Sequence, residues 1–236
     1  MTHFSLSLRP PPDRLKNRRT KCPLPMKPDP LSPPEPNLAP PGAGLPKVEL
    51  LVARVLFGLS RWTRNRDSFE REFSRERQLI RNLVGKCDAA TGGRRVLIPR
   101  LTGLEDSSRY WSVWMTLEHL RIVHDSIALL IRELSREITP PGSASTAAVK
   151  PRLDVGPEVI AAYEASCDAL AAAAAASPSL DTRARFPHPW FGPLNAAGWH
   201  ALAGLHLGIH RAQIERILMG LSGDNASEPS TGDRSP

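Results

Sequence analysis

At 236 residues, 41% of them hydrophobic, the chain is long enough for one domain of about 150–200 residues with a sizeable core. The net charge of +7 is concentrated in residues 1–46, which hold seven Lys/Arg against three acids; the remaining +3, with no zinc-knuckle spacing and no aromatic ribonucleoprotein pattern, argues against a nucleic-acid partner. No apolar stretch approaches about 18 residues and the first residues lack a secretory apolar core, so neither a membrane nor export is expected and the cytoplasm is the default compartment.

Residues 1–46 contain 13 of the 24 prolines, few apolar residues and no periodicity, and read as a disordered, basic tail. Its cluster Arg14-Leu-Lys16-Asn-Arg18-Arg19-Thr-Lys21 could touch nucleic acid or an acidic surface, but a solvated tail or an overextended start site is the favoured reading. Cys22, Cys87 and Cys167 are scattered and odd in number, so they form neither a disulfide framework nor a metal pair.

From position 47 to 222 the pattern is helical. Residues 48–59 are rich in Leu and Val and lead into an Arg/Glu-rich stretch ending near Cys87. Asp67-Ser-Phe-Glu70 resembles a capping box, so this region is two helices or one kinked helix. Charges of alternating sign from Arg61 to Arg81 suit an exposed face. Gly92-Gly93 opens a loop that runs to the N-cap candidates Asp106-Ser107-Ser108, and one long helix is expected from there to about Ile138. On it, Met115, Ile122, Val123, Leu130 and Leu134 fall within about 60° of His119, which places His119 on the inward stripe; His124, about 140° away, is expected to face out.

Residues 139–146 read as a loop. Gly156-Pro157 opens a third helix that passes Tyr163 and Leu170 into the alanine run 171–176 and stops at Ser177-Pro178. The long link before it lets the second and third helices run parallel. The last helix starts after Asn195, a strong N-cap, and is expected to end near Gly220 or Gly223. His206, His210, Gln213, Trp199, Leu202 and Ile217 share one face of it, and His200, about 120° off, is expected to be exposed. Residues 223–236 read as a second disordered tail. No strand signal and no repeat is evident, so the chain is all-α, a helix bundle.

Three histidines carry the chemistry. His206 and His210 stand one turn apart, where two neutral imidazoles can reach one cation, and His119 adds a third from a separate helix. Two adjacent inward imidazoles also need partners for burial, which raises the prospect of a metal. Gln213 is a candidate to orient a ligand or an ordinary polar residue at the helix interface. Trp190 and Trp199 are candidate pocket walls or simply core aromatics. His3, His124 and His188 are taken as non-ligands, with His188 near the pocket mouth, and Cys87 and Cys167 as small buried hydrophobes.

Trp111-Ser-Val-Trp-Met-Thr-Leu-Glu-His119-Leu120, together with His188-Pro-Trp-Phe-Gly-Pro-Leu-Asn-Ala-Ala-Gly-Trp199 and His206-x3-His210-x2-Gln213, resembles the DinB/YfiT-like superfamily over roughly residues 48–222. The resemblance implies a four-helix bundle of up-down-down-up topology with a divalent metal, zinc or nickel, on His119, His206 and His210. It further implies metal-dependent transfer of low-molecular-weight thiols such as bacillithiol or mycothiol, as in a mycothiol-dependent maleylpyruvate isomerase, or a related hydrolase. Arg211 stands where many relatives carry another histidine. The rival readings are a non-catalytic metal-binding or stress-response module and a helical interaction protein whose tail binds a partner. The apolar faces of the long helices are compatible with a homodimer.

Overall fold

A computed structural model of the chain describes residues 35–225. The expectations for residues 1–34 and 226–236, including His3, Cys22 and the basic cluster at 14–21, lie outside the described residues. Four helices make the bundle: α2 (Arg66–Val84), α4 (Val113–Ser135), α5 (Val159–Ala176) and α6 (Ala196–Asn225). A further helix, α1 (Lys47–Thr63), precedes them, and the short α3 (Ala89–Gly93) follows α2.

Side-chain pairs give the directions. Glu70 meets His200 and Glu76 meets Arg211, so α2 and α6 run parallel. His124 lies by Ser166 and Cys167, and Arg132 reaches the Ala169 carbonyl, so α4 and α5 also run parallel. Arg66 bonds the Ser177 carbonyl while Arg77 pairs with Glu164, so α2 opposes α5. Trp111 stacks on His210 while His119 meets His206, so α4 opposes α6. This is the up-down-down-up order.

Local chemistry sets the ends. The break between α1 and α2 falls at Asn65, whose side chain accepts from the Ser68 N–H at 3.0 Å. Asn65 therefore caps α2, and Asp67-Ser-Phe-Glu70 is already its first turn. Likewise α4 is capped by Ser112, which accepts from Met115 N–H at 3.1 Å, while Asp106–Ser108 form only a 3₁₀ turn before it. Asn195 accepts from Gly198 N–H at 3.0 Å and caps α6 as expected. The helix passes Gly220 and ends at Asn225, close to the other expected end at Gly223; a Cβ at Gly220 would stand 2.7 Å from Val96 Cγ1, so that glycine permits close packing rather than ending the helix.

Short strands, unexpected from the sequence, brace the loops. β1 (Val96–Leu97) pairs antiparallel with β2 (Tyr110–Trp111), and β3 (Phe186–His188) with β4 (Gly192–Leu194). Two or three residues cannot display a period of two. Residues 39–44, read from sequence as tail, donate backbone N–H groups to Asp106 and Glu105. Contrary to expectation, α5 has the length and apolar composition of a membrane span. It is nevertheless a bundle helix: Tyr163, Cys167 and Leu170 are buried, and its flanking Glu164 and Asp168 pair with Arg77 and Arg81 of α2. The alternating charges of α2 are only partly outward, since Glu76 is buried against Arg211.

Helix α1 lies apart from this logic. Only Phe57 is buried, and Val48, Leu51, Val55, Leu59 and Trp62 are each more than half exposed. Polar tethers hold the helix instead: Glu49 accepts from Gly103 N–H at 2.6 Å, Arg54 donates to the Trp190 carbonyl at 2.5 Å, and Arg61 to Asn195 Oδ1 at 3.0 Å.

The base of α4 rests on a glycine. Trp114 fills the space over Gly92, where a Cβ would meet the indole at 2.1 Å. Gly92→Ala is expected to lower stability by about 1–3 kcal/mol through overpacking, measured by thermal or denaturant melting. A melt identical to that of the parent would contradict this packing.

Candidate metal centre

The antiparallel crossing of α4 and α6 brings His119, His206 and His210 together, with one ligating nitrogen from each within 4.8 Å of the others. His206 Nε2 stands 3.1 Å from both His119 Nε2 and His210 Nε2. Two nitrogens at about 2.0–2.1 Å from a tetrahedral zinc stand about 3.3 Å apart, so the spacing suits one cation.

Tautomers sharpen the point. His119 Nδ1 donates to the Val149 carbonyl at 2.7 Å, and His210 Nδ1 donates to Gln213 Oε1 at 2.7 Å. Each neutral ring carries one proton, so both Nε2 atoms present lone pairs. His206 Nε2 has one hydrogen at most and can satisfy only one of them. Its own Nδ1 is buried without a partner. Lone pairs converging at the wall of a largely apolar cavity are stabilised by a shared positive charge, and this donor set fits a divalent metal. Burial pushes the His119 pKa down to about 4 and those of His206 and His210 well below the usual imidazole value, so all three are neutral near pH 7 and free to ligate.

The surrounding groups hold this geometry. Gln213 is fully buried, and its amide N–H donates to the Ser108 carbonyl at 2.7 Å, which fixes its oxygen towards His210. Gln213 thus both contacts a candidate ligand and bridges α6 to the turn before α4. Trp111 stacks on His210 with ring planes 8° apart and faces His119 at 5.2 Å. Trp111 and the Val149 carbonyl were not singled out from sequence. The tryptophan sits in the motif one residue before the α4 cap, which is a legible signal, whereas a backbone carbonyl leaves none. Glu105 binds Lys150 at 2.9 Å and Thr146 at 2.9 Å, anchoring the loop that carries Val149.

In front of the histidines opens a cavity of about 890 Å³, lined by α1, α4, α6 and the β3–β4 hairpin. Trp199 and Trp190 both line it, and Trp199 is at the same time a buried core residue. His188 lines it too; its Nδ1 accepts from Trp190 N–H at 3.1 Å, so its proton sits on Nε2. His188 is not part of the three-nitrogen group.

Two histidine expectations are corrected. His124 is fully buried, its Nδ1 3.4 Å from Ser166 Oγ and 3.5 Å from Cys167 Sγ, because α5 covers the side of α4 that the sequence assigned to solvent. His200 is likewise buried, paired at 3.1 Å with Glu70 of α2. Arg211 faces α2 and Glu215 rather than the cavity, bonding Glu76 and Glu215 at 2.6 Å each. Cys167 is buried and burial pushes its thiol up to about 12, while Cys87 is half-buried.

The DinB superfamily model matches residues 72–214, more than half of the chain. No curated protein matches. A crystal structure of TT2238, described as a four-helix bundle protein, is similar at 24% identity with a TM-score of 0.45, covering 69% of this chain and 100% of that one.

Gln213→Leu leaves the His210 N–H and the Ser108 carbonyl without partners, and is expected to weaken metal binding about 10- to 100-fold. Competition with a chromogenic chelator measures this, and unchanged affinity would remove Gln213 from the centre. A second expectation concerns acid. Burial lowers the His188 pKa to about 4 and that of His124 to about 3, so on acidification the unfolded chain takes up protons near 6.5 before the folded chain does. Stability of the metal-free protein is then level above pH 6.5 and falls below it. Equal melting temperatures at neutral pH and a unit or so below the histidine range would contradict this burial.

Proposed function

Because the chain belongs to the DinB superfamily, we propose that it binds a divalent cation, zinc or nickel, through His119, His206 and His210 and catalyses a metal-dependent thiol S-transfer or a related hydrolysis or isomerisation. The observation that carries this reading is the convergence of three Nε2 atoms, two of them on rings whose Nδ1 protons are already given to Val149 and Gln213. A bound cation would supply Lewis acidity at its open positions, lowering the pKa of a thiol or water held there.

The remaining work falls to the chain's own groups. Val149 and Gln213 fix the ring orientations, and Trp111 covers one side of the centre. Glu49, Glu72 and Glu105, the carboxylates that line it among the described residues, are each bound to a basic side chain. None stands ready as a general base. A thiol nucleophile suits that situation, because it ionises near pH 8.5 unaided and lower beside a cation. The same lack of a free base is what a non-catalytic metal-binding module would have, and this is the second reading.

Metal analysis of untagged protein, with His119→Ala and His210→Ala beside it, tests the first step. About one ion per chain is expected in the parent, with loss in both variants. A screen of thiol and electrophile pairs on zinc- and nickel-loaded protein tests the second. Stoichiometric metal without turnover would favour the module; absence of metal in the parent would sink both.

A further inference from the structure

We infer that the cavity before the three histidines takes a neutral, largely apolar small molecule whose single polar head reaches the metal. The inference rests on the reading that the histidines hold a cation, but its main observations concern the walls, not the centre. Apolar side chains come from every side: Leu56 and Phe57 of α1, Val123 and Leu129 of α4, Leu205 of α6, and Phe191 of the hairpin. Leu56 and Leu129 remain 60% and 55% exposed although they line a concavity, so apolar surface there is left for something else to cover. The volume, about 890 Å³, lies within the range of drug-sized ligand sites, roughly 300–1,000 Å³.

Charge points the same way. The charged lining groups among the described residues are Glu49, Arg64, Glu72, Glu105 and Lys150. Glu49 pairs with Arg100 at 2.5 Å, Arg64 with Glu72 at 2.6 Å, and Lys150 with Glu105 at 2.9 Å. Away from the histidine centre, no side-chain cation is left over to receive a carboxylate or phosphate on the ligand body, and no carboxylate to receive an amine. A charged ligand body would lose its hydration without compensation. An alkyl or aryl body would gain from every methylene it buries.

Helix α1 sets how such a molecule enters. It forms one wall of the cavity, yet only Phe57 anchors it in the core, and its remaining ties are polar contacts at Glu49, Arg54 and Arg61. A wall attached in this way can yield to an apolar body and then cover it.

The test uses the full chain in two arms. In the zinc-loaded arm, butane-, hexane- and octanethiol are titrated against thioglycerol and cysteine. In the chelator-treated arm, the matching n-alcohols displace the neutral dye Nile red. In both arms affinity is expected to rise about fourfold per added methylene, and hexanethiol is expected to bind zinc-loaded protein far better than thioglycerol. Leu56→Glu and Leu129→Glu, already exposed positions whose folding is checked by circular dichroism, are expected to weaken octyl binding at least tenfold. A chain-length-independent affinity in both arms, or thioglycerol binding as well as hexanethiol, would overturn the inference. Failure of zinc to bind while the alcohol series persists would instead overturn the metal reading and leave the apolar site standing.

Discussion

Three imidazole Nε2 atoms converging at the wall of the cavity, at least two of them presenting lone pairs, are the constraint on which the site depends. Nitrogens 3.1 Å apart with no proton between at least one pair repel one another unless a positive charge lies among them. The backbone and side-chain acceptors on the far nitrogens of His119 and His210 remove the alternative of simply turning the protons inward. The centre is thus pre-organised for a cation by groups that never touch it, and the burial that keeps the rings neutral keeps them available as ligands.

That arrangement depends on two helices crossing antiparallel and on loops fixed at their ends. Gln213 joins α6 to the turn before α4, and Glu105 and Lys150 tie the loop carrying Val149 to the same turn. Both cross-links converge on residues 105–108, so this short segment governs the orientation of two of the three rings. The apolar cavity then opens on the side left to α1, which belongs to the chain's described region but lies outside the 72–214 span matched by the superfamily.

The site was legible in the sequence because its signals are periodic: His206, His210 and Gln213 share a helical face, and His119 sits on an apolar stripe. The same reasoning failed at His124 and His200 for a physical reason. A single apolar stripe implies one buried face, but α4 is covered by both α5 and α6, and α6 by both α2 and α4, so positions more than 100° from the stripe are also enclosed. Capping was readable in place at Asn195 but only in kind at Asn65 and Ser112, which compete with equally good neighbours so that the path of the incoming chain decides. Gly220 looked like a helix end because close approach to Val96 and chain termination ask for the same residue. The two-stranded ladders left no trace because two or three residues display no period, and the Val149 carbonyl left none because a backbone contact across 30 residues carries no side-chain signal.

The most direct measurement of the central claim is zinc K-edge X-ray absorption on the zinc-loaded full chain, compared with His206→Ala. Imidazole outer-shell scattering with nitrogen neighbours at about 2.0–2.1 Å, diminished in the variant, is the result this account predicts. A shell of oxygen ligands without imidazole scattering, or a spectrum unaltered by loss of His206, would contradict it.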